Sequence, residues 1–220
     1  LEYHIRRNHI SKWLTARALF PIAEIFKYFT PEDFSNFDEI RRFIFDTIDR
    51  YRQSKGRGII AKFYREKYDE YQIFSRIGDG SMGGKGRGLA FIDSVLKRNY
   101  LMHKFEGITL TIPRTVVLST DVFDECMEIN NLYPIAMSDI SNEEMLRNFL
   151  NACIPSRVHK DLFSFISVAR NPIAVRSSSL LEDSHYQPFA GIYSTYMIPN
   201  LHDNEHQMLD ILGQAIKCVY

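Results

Sequence analysis

The sequence predicts a mixed α/β (α+β) domain preceded by a helical segment. Three observations carry that expectation. Residues 1 to about 72 are helical in period and rich in charge, whereas from about residue 75 short β-rich runs alternate with helical ones. At the join, a glycine-rich stretch runs straight into an apolar helical pattern. The predicted division is therefore 1–72, a helical segment, and 73–220, an α/β domain.

In the front segment, Trp13, Leu14, Ala18 and Leu19 make one apolar stripe, and Pro21 kinks that helix or begins another. Ser35-Asn36-Phe37-Asp38 has the form of a capping box, and Ile40, Phe43, Ile44, Ile48 and Tyr51 follow at helical spacing. Residues 57–71 extend the helical pattern through Ile59, Ile60, Phe63, Tyr64 and Tyr68. Lys62, Arg65 and Lys67 interleave with these rings, as in some RNA-binding surfaces. A core stripe beside a solvated face fits the balanced charge better. His4 and His9 stand five apart, which is not the spacing of a metal pair on a helix.

Beyond the glycines, residues 108–112 and 115–118 read as short strands separated by Pro113. Thr120 is placed to cap a helix holding Val122, Phe123, Met127 and Ile129. Ser141-Asn142-Glu143-Glu144 is a second capping box, before Met145, Leu146, Phe149 and Leu150. Pro155 starts a further helix through Val158, Leu162, Phe163 and Ile166. Residues 173–175 and 193–198 complete the strands, and 203–219 reads as a helix.

Lys plus Arg and Asp plus Glu both number 27, so no net charge argues for a nucleic-acid or membrane partner. Cys126, Cys153 and Cys218 are odd in number and lack metal-ligand spacing, which suggests reduced, buried thiols of a cytoplasmic protein. No membrane-length apolar run and no signal peptide are present. The sequence starts at Leu1 and stops at Tyr220 inside an amphipathic pattern, so a piece of a larger protein is expected.

Two stretches carry the chemistry. The first runs Pro172-Ile173-Ala174-Val175-Arg176-Ser177-Ser178-Ser179-Leu180-Leu181-Glu182-Asp183, with Phe189-Ala190-Gly191 shortly after. It is an apolar strand with an arginine at its exit, where α/β folds place ligand-handling groups. A guanidinium grips a phosphate by two parallel hydrogen bonds. The second is Gly78-Asp79-Gly80-Ser81-Met82-Gly83-Gly84-Lys85-Gly86-Arg87-Gly88, followed by Leu89, Ile92, Val95 and Leu96 at helical spacing. Glycines let backbone N–H groups approach an anion, the helix start adds donors and partial positive charge, and Lys85 adds a mobile full charge. No Ser or Thr follows Lys85, so this is not a P-loop. No alternating apolar strand leads into the glycines, so it does not match a dinucleotide fingerprint either.

Together these stretches resemble the amino-terminal nucleotide-binding domain of the phosphoenolpyruvate synthase and pyruvate phosphate dikinase family. The matching residues are Gly83-Gly84-Lys85-Gly86, then Ile112-Pro113-Arg114-Thr115-Val116-Val117-Leu118-Ser119-Thr120, then Ala174 to Ser178 with Glu182-Asp183, and last Phe189-Ala190-Gly191 with Thr195. The resemblance spans residues 78 to 200 in order and register. Arg114 stands where the family has glycine and adds a cation near the expected site; Ile192 stands where many members have glutamine.

The resemblance implies the first lobe of an ATP-grasp-type fold, binding ATP with Mg²⁺. It assigns Lys85 and Arg176 as catalytic, gripping the phosphates. It adds Gly83, Gly84, Gly86, Ser177, Gly191, Thr195 and Tyr196 to the nucleotide contacts. Glu182 and Asp183 hold the metal or stabilise a turn, and Ser177 to Ser179 donate to a phosphate or form a turn. Metal ligands and adenine contacts are expected mostly in a second lobe. The implied reaction phosphorylates a histidine on a downstream swivelling domain and then pyruvate. His185 is not that histidine, because the family's phosphorylated histidine belongs to a separate motif. The alternatives are a relative with another acceptor (pyruvate phosphate dikinase, water dikinase, antibiotic phosphotransferase) and a regulatory or interaction module that keeps the fold without catalysis. ATP and the downstream phosphohistidine and pyruvate-binding domains are the expected partners, with no nucleic acid and no membrane.

Overall fold

In the computed structural model, residues 2–55, 60–68, 72–102, 104–182, 191–199 and 204–220 are described. The chain packs as two units, Leu1–Arg57 and Gly58–Tyr220.

The first unit is helical: α1 Glu2–Arg6, α2 His9–Ala16, α3 Phe20–Lys27 and α4 Phe37–Lys55. Ala18 takes a left-handed φ of 56°, and Pro21 falls in the first turn of α3, so the proline opens a new helix rather than kinking one. Leu14, Ile22, Ala23 and Phe26 are buried against Phe43, Ile44, Ile48 and Tyr51 of α4. The cap of α4 differs from the predicted box by one residue. Asn36 Oδ1 accepts the Glu39 N–H at 2.9 Å, and Glu39 reaches back to the Ser35 N–H at 2.7 Å. Trp13 stays exposed, stacked under the Arg17 guanidinium at 4.1 Å. His4 and His9 do meet, Nδ1 to Nδ1 at 3.1 Å.

The second unit is built on a parallel three-stranded sheet, β1 Ala61–Lys62, β2 Phe74–Ile77 and β3 Thr115–Leu118, in the order β1-β2-β3. After β2 come α5 Gly83–Arg98, α6 Thr120–Ile129, α7 Leu132–Ala136, α8 Asn142–Asn151 and α9 Ser156–Val168. An antiparallel pair, β4 Ile173–Arg176 and β5 Thr195–Ile198, and α10 Glu205–Val219 complete it. Val158, Leu162, Phe165 and Ile166 of α9 interlock with Met208, Leu209, Leu212, Ala215 and Ile216 of α10 to form the main core. Each fully buried side chain of this size contributes about 1.5–3 kcal/mol of hydrophobic stabilisation. Ser141 caps α8 by accepting the Glu144 N–H at 3.2 Å, as its sequence predicts.

Three sequence expectations are corrected. A strand does lead into the glycines: β2 escapes an alternation test because Phe74, Ser75 and Ile77 are all buried, as in a central parallel strand covered on both faces. The helical reading of 57–71 fails over its described part, 60–68, which holds β1 and a 3-10 turn at Arg65–Lys67. Two of its rings are core all the same, Phe63 and Tyr68, buried 4.5 Å apart between centroids, while Tyr64 is exposed. Among the described residues, 108–112 pair with no strand; Pro113 has no N–H to continue a ladder, and an isolated bridge joins Phe105 and Ile108.

The packing boundary falls at 57/58, earlier than the 72/73 read from composition, because β1 pairs with β2 at Ala61–Ser75 and Lys62–Arg76. Cys126 is buried as expected, but Cys153 is exposed and Cys218 half-buried, all three being free thiols. Among the described residues no helix is long and apolar enough to cross a membrane.

Candidate functional site

The parallel strands β2 and β3 end side by side, with Ile77 opposite Leu118, so the glycine loop and the start of α6 leave the sheet together. That is the end of an α/β sheet where ligands bind. Gly78 has φ +96°, and a side chain there would overlap the Ser119 hydroxyl and the Asp121 carboxylate. Gly80 is equally confined, since a Cβ would come 2.6 Å from Thr120 Oγ1 and 2.8 Å from the Asp121 nitrogen.

What confines the loop also holds it. Asp121 accepts the N–H groups of Asp79 and Gly80 at 3.0 and 2.9 Å, and the Ser119 hydroxyl at 2.5 Å. Thr120 Oγ1 accepts the Ser81 N–H at 3.0 Å, and the Thr120 N–H returns a bond to the Ser81 carbonyl at 2.9 Å. Thr120 thus spends its hydroxyl on the loop, while Ser119 occupies the cap position of α6. Partial burial pushes the Asp121 carboxyl up, but the Ser119 hydroxyl and the loop N–H groups outweigh it and bring it to about 2.

The second motif docks on the first turn of α5. The Ser178 carbonyl accepts the Gly84 N–H at 2.9 Å, and its hydroxyl accepts the Gly86 N–H at 2.9 Å while donating to the Met82 carbonyl at 2.6 Å. Gly83, with φ +71°, lies against the Ser178 carbonyl with no room for a Cβ. Gly86 lets α5 close on the sheet, where a Cβ would stand 3.3 Å from Val117. Two N–H groups expected to face an anion are therefore bonded to Ser178. Its neighbours build turns: Ser177, buried, accepts the Ser179 N–H at 3.1 Å, and Ser179 accepts the Leu181 N–H and the Tyr193 hydroxyl, each at 3.2 Å.

Lys85 lies between Gly84 and Gly86, and its ammonium forms an ion pair with Glu182 without the angular geometry of a hydrogen bond. Both side chains are largely covered, 23% and 14% exposed. The carboxylate sits beside the start of α5, where the helix dipole favours negative charge. Arg176 is exposed at the end of β4 and, among the described residues, forms no ion pair. It is two residues from Ser178, so the junction brings both predicted cations near one place. Opposite Arg176 in register is Thr195, exposed on the same sheet face. Tyr196 is opposite Val175 on the other face and packs into the core, away from that pair. Gly191, φ +85°, and Ile192 are both exposed.

Arg114 does not stand near this site. It precedes β3, at the end of the sheet opposite the glycine loop, and reaches the Val168 carbonyl at 3.5 Å. Asp183, His185, Phe189 and Ala190 lie outside the described residues. Among the described residues, no three His, Cys, Asp or Glu side chains gather as metal ligands. Glu182 offers the hard oxygen donor that Mg²⁺ prefers, but only one carboxylate, already beside Lys85. Sequence reading missed Asp121. Only the acidic residue in the first turn after a strand exit hinted at Asp121.

The family model for the pyruvate phosphate dikinase AMP/ATP-binding domain matches residues 79–220, more than half of the chain. The chain belongs to that family. No curated protein and no solved structure matches it.

Proposed function

We propose, from the chain's membership of the pyruvate phosphate dikinase AMP/ATP-binding family, that residues 73–220 grip ATP as the first lobe of an ATP-grasp site in a phosphoenolpyruvate synthase-like phosphotransferase. In this reading a phosphoryl group passes from ATP to a histidine on a downstream swivelling domain of the same polypeptide, and then to pyruvate. The observation that supports it best is the Ser178 junction, which joins the lysine loop to the arginine strand across 92 residues of sequence.

Phosphoryl transfer asks the protein for cations and aligned donors around spreading negative charge. Lys85 and Arg176 supply the cations. Because Ser178 takes the Gly84 and Gly86 N–H groups, charge recognition falls on side chains more than on the helix start. Glu182 holds Lys85 until phosphate oxygens displace it. Ser177 fixes the turn that aims the Arg176 segment, and Thr195 adds a hydroxyl on the same sheet face. Gly191 takes a left-handed turn ahead of β5 and closes with Thr195 around the nucleotide. Tyr196 supports β5 from the core side. Mg²⁺, when bound with ATP, neutralises phosphate charge, and most of its ligands are assigned to the second lobe. The assigned compartment is the cytoplasm.

The test uses the full-length protein. Incubation with ATP should produce acid-labile phosphohistidine, and added pyruvate should discharge it. Absence of the acid-labile label in folded, ATP-bound protein would overturn the reading.

A further inference from the structure

We propose that the glycine loop carries a second oxyanion site, on the side of α5 away from Lys85, formed by Arg76, Arg87 and Ser81. These three residues, with Ile60, Gly80 and Met82, line an open pocket of ≈ 340 Å³. Arg76 enters from β2 and Arg87 from the second turn of α5. Lys85 and Arg87 are two residues apart on one helix, about 200° around its axis. The Lys85 side is covered by Ser178 and Glu182; the Arg87 side opens into the pocket.

Both guanidinium groups are held in place by the loop itself. Arg76 Nη1 donates to the carbonyls of Asp79 and Gly80 at 3.1 and 3.4 Å. Arg87 donates from Nε to the Gly83 carbonyl at 3.1 Å and from Nη2 to the Ser81 hydroxyl at 3.3 Å. A guanidinium has five N–H donors, so each keeps donors for a ligand while its orientation is already fixed.

The charge balance points the same way. Asp79 pairs with Lys62 at 2.8 Å and more loosely with Arg76 Nη2 at 3.8 Å, so one carboxylate is shared between two cations. Asp121 is taken by the loop N–H groups and lies 3.9 Å from Arg157. Arg87 has no carboxylate partner among the described residues. Two preorganised guanidinium forks and a hydroxyl suit a phosphate-type oxyanion, inorganic or carried on a small molecule. The pocket's apolar sides, Ile60 and Met82, confine the ligand to that small head. The proposal does not rest on the assignment of Lys85 and Arg176 to ATP.

Calorimetric titration of the full-length protein with inorganic phosphate and with pyrophosphate tests it. The wild type should bind at least one of them. Arg87→Gln should weaken that binding about tenfold or more, as loss of a charged hydrogen-bond pair implies. Arg87→Lys should restore it only in part. Run in saturating ATP, which fills the Lys85 and Arg176 site, the titration should still show this binding. Binding of neither anion under ATP, or undiminished binding by Arg87→Gln, would each overturn the proposal. If Arg87→Gln does not fold, arginine-selective dicarbonyl modification of the wild type decides: phosphate must protect Arg87, and failure to do so contradicts the site.

Discussion

Ser178 clasps Gly86 through its hydroxyl, which accepts the glycine N–H at 2.9 Å and donates to the Met82 carbonyl one turn back at 2.6 Å. One side chain thereby satisfies two backbone groups at the start of α5 and fixes the exit of β4 against it. Burial and pairing of such groups matter because an unpaired one costs about 1–3 kcal/mol. The contact needs glycine on the helix side, and this gives a graded expectation.

Gly83→Ala should destabilise the second unit by at least about 2 kcal/mol, from a left-handed φ and overlap with the Ser178 carbonyl. Gly88→Ala, five residues on in the same helix with nothing near its added methyl, should be neutral or stabilising by up to about 1 kcal/mol. Urea unfolding of the two variants checks the contrast. Equal stabilities would remove the docking role given to Gly83.

Asp121 gives a pH signature. Its folded-state carboxyl lies at about 2, below its ordinary 3.8, so its contribution is complete above about pH 4 and is lost as pH falls toward 2. The carboxylate is 39% exposed, so solvent screening reduces the contribution to the order of 1 kcal/mol. Asp121→Asn should therefore be less stable than wild type at pH 7, with the gap closing below pH 4. A pH-independent gap would assign the loss to packing alone.

Glu182→Gln should raise ATP affinity severalfold, because phosphate oxygens no longer compete with a carboxylate for Lys85. Lys85→Ala should abolish that gain in the double variant. Equilibrium titration with ATP measures both. Weaker ATP binding by Glu182→Gln would show that the carboxylate serves the nucleotide rather than opposing it.

Much of this was legible in local sequence. Caps and helical periods announced α8, α9 and α10, and β4 showed itself through Ile173 and Val175 facing the core with Arg176 facing out. β2 was not legible, since burial on both faces erases alternation, and Phe63 and Tyr68 mimicked a helical stripe while packing from either side of a 3-10 turn. Within the candidate site, local signals singled out Lys85 and Arg176 as candidates. They did not reveal that Glu182 pairs with Lys85, or that Asp121 holds Asp79 from 42 residues away. Such pairings arise from strand order, which the fold sets and neighbouring residues do not encode.

The central claim is that Arg176 and Lys85 grip the ATP phosphates, and the rate of ATP-dependent histidine phosphorylation in the full-length protein tests it most directly. Arg176→Ala and Lys85→Ala should each lower that rate about a hundredfold, the usual cost of one lost electrostatic contact to a developing charge. Arg176→Lys should recover part of it, because an ammonium keeps the charge but loses the fork. Histidine phosphorylation run backwards from phosphoenolpyruvate should be unchanged in all three. A folded Arg176→Ala protein that phosphorylates its histidine from ATP at the wild-type rate would contradict the account.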